Sequence, residues 1–337
     1  MTNGKHMQAL LDPKNDALFF SGSILLTPLI VAIYYLCTAV FNWEPQQTVS
    51  VIYFSYLLCF DQPHIIHTFS RAFFDPIEWA RKKYLLVLLF IATVVLMPLY
   101  FKLGYEDRVI DIIVFYGFWH VFKQNIFLLD LYQQKCRTFF WERLLEKSMF
   151  YFLFGSWFFQ EILDPENIEQ YVIHKDTTEA AGEILLNIGL VLFAIFVLKT
   201  IWQAYKREPV YWSKLTFICA ILVNYIFLFL FVDDYLEASI LLYLICDGIY
   251  HGVQKFGFMK LYYRVRFPTE PKKFQNWLLV GLIYAGLALP LFHFLPLLGE
   301  GGRLLSSTFI GVVIFHYLVE DLIWKVNKAP ELRCLVE

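Results

Sequence analysis

Between Lys83 and Lys102 the chain reads YLLVLLFIATVVLMPLYF, from Tyr84 to Phe101, without one charged residue. Wound as an α-helix, this block is about 27 Å long, close to the roughly 30 Å of hydrocarbon in a bilayer. A helix on the surface of a soluble protein shows one apolar stripe, whereas this block is apolar all round. It is therefore expected to cross a membrane.

Similar blocks recur on both sides of it. Apolar runs set against polar breaks predict spans near 17–41, 48–70, 84–102, 109–131, 148–163, 183–205, 210–232, 237–256, 274–298 and 303–325. The composition is 58% hydrophobic, 19% aromatic and only 17% charged, and a soluble core could not hide that much apolar surface. The expected fold is all-α: a polytopic integral membrane helical bundle of about ten transmembrane helices. Residues 1–337 are read as a single transmembrane domain with short tails at 1–16 and 326–337. The stretch Ala17 to Phe41 has no small-residue cleavage site behind a short apolar region, so it reads as a retained span.

Direction follows from the basic residues. Counted by alternate loops, 23 of the 28 fall on one side, among them Lys5, Lys14, Arg71, Lys214 and Lys255, against Lys102, Arg108, Lys175 and Arg303 on the other. Basic loops stay inside, so both termini are expected to be cytoplasmic, in a bacterial cytoplasmic membrane. The opposite loops carry Asp164, Glu166, Glu169, Asp176 and Glu179, then Asp233, Asp234 and Glu237. The six cysteines are scattered and read as packing residues, and a net charge of −2 gives no reason to expect nucleic acid.

An ionisable side chain in a span costs about 2.5 to 3.5 kcal/mol on insertion scales. Four spans nevertheless contain them: Asp61-Gln-Pro-His64-Ile-Ile-His67, His120-Val-Phe-Lys123-Gln124, Asp247-Gly-Ile-Tyr-His251-Gly-Val-Gln254 and His316-Tyr-Leu-Val-Glu320-Asp321. Spacings of three and four put each set on one helix face. All four spans are even-numbered and run the same way, with the histidines about 11 to 19 residues from the span start, a spread of one to two helical turns. His64, His67, His120, His251 and His316 are thus expected to meet in one layer and bind metal. Glu320 and Asp247 are the candidate catalytic carboxylates. Asp61, Gln124, Gln254 and Asp321 are expected to orient the ligands, and for Asp321 pairing with Lys325 is an equal reading. His293, His174 and His6 are expected to lie elsewhere.

The sequence has no HExxH, GxSxG, P-loop or GxGxxG opening a helix after a strand, which speaks against zinc proteases, serine hydrolases and nucleotide enzymes. At Pro63-His64-Ile-Ile-His67, at Phe315-His316-Tyr-Leu-Val-Glu320-Asp321, and at the single histidines of the fourth and eighth spans, the chain resembles the bacterial intramembrane carotene-cleaving dioxygenases. The resemblance implies one iron held by histidines from several membrane helices, and cleavage of a carotenoid with dioxygen.

The residues themselves predict a membrane-embedded metalloenzyme, with non-haem iron oxidising a lipid or isoprenoid that enters from the membrane. The expected partners are that lipid-soluble small molecule, membrane lipid and an electron donor. Three alternatives stand beside it: a zinc-dependent lipid hydrolase, a protein of haem b with two axial histidines, and a proton- or cation-coupled transporter with Pro63, Pro98 and Gly248 as helix breakers.

Overall fold

A computed structural model describes residues 9–159, 175–227 and 240–324. His6, His174, the acidic residues Asp164, Glu166, Glu169, Asp233, Asp234 and Glu237, and the basic tail residues Lys325, Lys328 and Arg333 lie outside the described residues. Among the described residues every regular element is helical. In chain order these are α1 (Pro13–Val40), α2 (Pro45–Phe74), α3 (Pro76–Lys102), α4 (Glu106–Lys135), α5 (Phe140–Trp157), α6 (Lys175–Tyr205), α7 (Trp212–Phe227), α8 (Ile240–Arg266), α9 (Lys273–Leu298) and α10 (Glu300–Ile323).

Seven of them, α1, α2, α3, α4, α6, α9 and α10, are long and apolar enough to cross a membrane. In α6 only 11% of the most apolar window is buried inside the protein, and Ile184, Val191, Leu198 and Ile201 point outward. In water that surface would be a large exposed apolar patch; in a bilayer it faces its own kind of solvent. The remaining helices α5, α7 and α8 fall on the fifth, seventh and eighth expected spans.

Helix starts are written in the local sequence. The Glu44 carboxylate accepts the Gln47 N–H at 3.1 Å, with Pro45 in the first turn of α2. Asp75 accepts the Ile77 N–H at 2.8 Å, with Pro76 opening α3. Both are N-caps followed by a proline whose missing N–H costs nothing there. The junction between α2 and α3 is thus the single residue Asp75, not the loop from 71 to 83 expected from the basic residues. Arg71 lies inside α2 and is fully buried, its guanidinium 3.1 Å from Glu78 and stacked 3.8 Å over the Trp324 ring.

The chain divides into two compact units. One, here the Lys214 unit, comprises residues 1–17 and 122–237, hence the end of α4 with α5, α6 and α7. Lys214, counted among the basic residues of the cytoplasmic side, is buried in α7 and donates to Glu146 at 2.6 Å and to Thr138 at 3.3 Å. Gln133 donates to the second oxygen of Glu146 at 2.8 Å.

The other, the histidine unit, comprises Leu18–Val121 and Ala238–Leu335: most of α1, then α2, α3, the first half of α4, α8, α9 and α10. Its core is built around Phe315, whose ring lies 5.7 Å from Phe73 of α2 and 5.6 Å from Phe90 of α3. Ala72, Leu86, Val94, Val319 and Ile323 complete that cluster. On the other side of α2, a Cβ on Gly281 of α9 would come within 2.7 Å of the Pro63 Cα. Only glycine allows so close a crossing, a common device where helices pack in lipid. These contacts fix the rotation of α2 and α10, which carry His64 and His316.

Candidate metal centre

The α2 backbone widens into a π-helical turn at Leu57–Asp61 before regular helix resumes at Gln62. Pro63 lacks an N–H and cannot join a regular ladder, and single π turns recur at functional sites. His64 follows at once. It meets His120 of α4, His251 of α8 and His316 of α10, all four buried, and one nitrogen from each lies within 4.8 Å of the others. The rings form a closed cycle, with centroids 5.1 Å apart for His64 and His251, 4.9 Å for His251 and His120, 4.8 Å for His120 and His316, and 4.7 Å for His316 and His64. Four of the five expected histidines therefore converge from four helices, all within the histidine unit.

Hydrogen bonds orient two of the rings. His64 Nδ1 sits 3.2 Å from the Phe60 carbonyl oxygen. His316 Nδ1 sits 2.9 Å from Thr68 Oγ1, and the Thr68 hydroxyl donates to Glu320. A carbonyl only accepts, and a hydroxyl that has given its proton to a carboxylate accepts as well. Both Nδ1 atoms thus carry hydrogen, and in neutral rings both Nε2 atoms are bare. Those two Nε2 atoms lie 3.1 Å apart. Two lone pairs facing each other at that distance, away from water, repel unless a cation lies between them. A shared proton would satisfy one such pair. A metal ion would satisfy all four: bonds of about 2.0 to 2.1 Å at tetrahedral angles separate nitrogens by about 3.3 Å. His120 Nε2, on a side chain 4% exposed, has no hydrogen-bond partner.

His67 does not join them. Three residues along a helix leave it about 60° round from His64, and its ring turns to other partners. Its Nδ1 lies 3.3 Å from the Tyr263 hydroxyl and its ring stacks 5.4 Å from Phe274. The carboxylates also separate. Glu320 lies beside the cluster, 3.8 Å from His120 Nε2, but is ion-paired to the buried Lys255 and bonded by Thr68. Asp247 accepts the Tyr250 hydroxyl at 3.0 Å. Asp61 accepts the Tyr56 hydroxyl at 3.1 Å and the Gln62 amide at 2.9 Å. Gln254 donates to the Phe20 carbonyl at 3.3 Å, tying α8 to α1. Asp321 accepts the Tyr116 hydroxyl at 3.2 Å. Gln124 belongs to the Lys214 unit.

The chain matches no family model, no curated protein and no solved structure. The chemistry must therefore be read from the centre itself.

Two members of the site, Lys255 and Thr68, were not anticipated from the sequence. Lys255 counted as a cytoplasmic flank; it is 1% exposed, with Trp324 lying 4.3 Å from its ammonium group. The signal was present: Lys255 follows His251 by four, Thr68 follows His64 by four and Glu320 follows His316 by four, one helical turn in each case. Beside the histidines lies a cavity of about 340 Å³ whose wall includes His64, His120, His251, Asp61 and Asp247.

Proposed function

We propose that this chain is a membrane metalloenzyme whose centre, His64, His120, His251 and His316, holds non-haem iron and oxidises a lipid or isoprenoid. The observation that carries the reading is the convergence of four buried imidazole nitrogens within 4.8 Å beside a largely apolar cavity. Imidazole ligands suit iron, zinc and copper. Four nitrogens would close a tetrahedral zinc site and leave no position for the water a hydrolase needs. Iron accepts more ligands, and when bound it would supply dioxygen chemistry at the positions left open. Haem is disfavoured because four rings packed at about 5 Å from centroid to centroid leave no gap for a macrocycle. The resemblance to the intramembrane carotene-cleaving dioxygenases points the same way.

In this reading the protein's own groups divide the work. Phe60 and Thr68 hold two imidazoles in the tautomer that offers Nε2. Lys255 neutralises Glu320 and so keeps a free carboxylate from competing for the ligands' protons. Asp247, on the cavity wall, is the group available to take a proton from a bound substrate. Ten spans with both termini cytoplasmic complete the proposal, since the basic bias survives removal of the buried Arg71, Lys214 and Lys255. A reporter fused after Glu337 is expected to be active only in the cytoplasm.

The test of the activity is oxygen uptake by the full chain in liposomes made from bacterial lipid extract, after loading with iron, manganese or zinc in turn. Uptake with iron alone supports the reading. Anaerobic lipid hydrolysis with zinc and no uptake with iron would replace it with the hydrolase.

A further inference from the structure

The cavity beside the histidines has a chemical asymmetry that says what it takes. Its volume is about 340 Å³, and at about 30 Å³ for a water-sized group it has room for roughly ten such groups in a row. One part of the wall is apolar: Leu244, Ala288, Leu289, Phe292, Phe309 and Val313. The other part carries His64, His120 and His251 with Asp61, Asp247, Tyr56 and Tyr317. Among the described residues no lysine or arginine lines the cavity.

Both aspartates line the cavity, and Tyr56 links the helix of one to the helix of the other. Tyr56 donates to Asp61 at 3.1 Å, and a Cβ built on Gly248 would fall 2.2 Å from the same Tyr56 oxygen. The tyrosine hydroxyl therefore rests on the α8 backbone next to Asp247, which only a glycine there permits. One oxygen of Asp247 accepts from Tyr250, and a carboxylate keeps several further lone pairs. The polar wall thus offers acceptors, the two carboxylates Asp61 and Asp247. Phe292, which lines the apolar part, is also 37% exposed on the outer surface and meets Phe309 edge-on at 6.0 Å. That pair stands where a chain would leave the cavity toward lipid.

We infer that the cavity binds a single-chain amphiphile whose head donates hydrogen bonds, an alcohol or an amine, with the head against Asp61 and Asp247 and a segment of roughly ten carbons along the apolar wall. Fatty acids and phosphate-headed lipids are disfavoured with the head at the aspartates, because an anionic head would face two carboxylates with no lysine or arginine among the described lining residues. A pure hydrocarbon would leave the aspartates buried without using them. The inference rests on reading the site as the substrate pocket of the metal centre and narrows the substrate class.

The test is equilibrium binding of tritiated 1-decanol, decylamine, decanoate and decane to the full chain in nanodiscs, with empty nanodiscs subtracted, and metal content measured on the same samples. Decanol and decylamine are expected to bind at least about tenfold more tightly than decanoate and decane. Asp247→Asn keeps the shape and an acceptor oxygen, so it should weaken decylamine about tenfold, leave decanol within about threefold and leave metal content unchanged. Ala288→Leu, which fills the apolar end, should shift the preference from decylamine to hexylamine. Decanoate or decane binding as tightly as decanol would overturn the inference while leaving the metal centre standing, as would an unchanged ranking in both variants. Loss of metal in Asp247→Asn would overturn it by making that carboxylate a ligand. The expected ranking in a protein that binds no metal would instead sink the proposed metalloenzyme and keep the amphiphile site.

Discussion

Both units bury charged or polar side chains inside apolar helices, and they do so in opposite ways. In the Lys214 unit a donor meets an acceptor: Lys214 and Gln133 give hydrogen bonds to the two oxygens of Glu146 at 2.6 and 2.8 Å. The group is self-consistent, and its pocket among Glu142, Lys199 and Lys214 measures only about 30 Å³, room for a water. In the histidine unit an acceptor meets an acceptor: the Nε2 atoms of His64 and His316 face each other at 3.1 Å, with His120 Nε2 unpartnered nearby. The first arrangement completes a fold. The second is complete only with a cation, and it opens on a cavity ten times larger. Burial of polar groups in a membrane bundle is therefore not by itself a sign of function; the sign is mismatched hydrogen-bonding capacity.

The largest effects should separate the converging histidines from the others. His251→Ala and His316→Ala are expected to lose metal and activity together. His293→Ala, on an exposed position of α9, and His67→Ala, whose ring packs against Tyr263 and Phe274, should retain both. Even groups that only orient ligands are worth about 10- to 100-fold in affinity, so a lost ligand should exceed that. Metal analysis of the four purified variants checks this, and equal metal in all four would erase the distinction between the regions.

Next in size are the two buried lysines. Lys255→Met strands Glu320 and Lys214→Met strands Glu146, and removing one partner of a buried pair costs about 3 to 5 kcal/mol. Both variants should unfold earlier in detergent. Only Lys255→Met should also lose metal, because the freed Glu320 carboxylate would draw on Thr68 and the His120 and His316 nitrogens beside it. The double variant Lys255→Met/Glu320→Gln should recover most of the stability. Thr68→Val comes third: it removes the acceptor of the His316 Nδ1 proton and a donor to Glu320, and should lower metal affinity about 10- to 100-fold at a stability cost of about 1 to 3 kcal/mol, below that of either lysine variant.

These residues also mark how far the sequence could be read. The all-helical membrane character was legible because apolar blocks of bilayer length leave few alternatives, and seven of the described helices have that length and character; the convergence of His64, His120, His251 and His316 was legible because helical rise converts position into height. Rotation was not. Which of His64 and His67 faces the centre depends on how α2 as a whole is rotated, which the Leu57–Asp61 widening and the close crossing with Gly281, far away in sequence, set together. Lys255 was misread for a related reason: in a count of basic residues near helix ends, a lysine buried beside Glu320 is indistinguishable from one in water.

The smallest effect lies at the α2–α3 junction. Burial would raise the Asp75 carboxyl, but the Tyr262 hydroxyl, the Ile77 N–H and the Arg266 guanidinium outweigh it and hold it below its ordinary value of 3.8. A depressed folded value stabilises the protein above that ordinary value, and the contribution is lost as pH falls through the folded one. Asp75→Asn should lower stability by about 1 to 2 kcal/mol at pH 7 and flatten the acid limb of the stability curve below about pH 4. Thermal unfolding in detergent across that range measures it, and an unchanged acid limb would show that the carboxylate is not a working cap.

The central claim is tested most directly by the metal content of the full-length protein, purified without chelator and again after stripping and reloading with iron. The account predicts about one transition-metal ion per chain in both preparations, as expected for nitrogens all within 4.8 Å of one another. A properly folded protein that takes up no metal in either preparation would contradict it and leave the four histidines as a proton-sharing cluster.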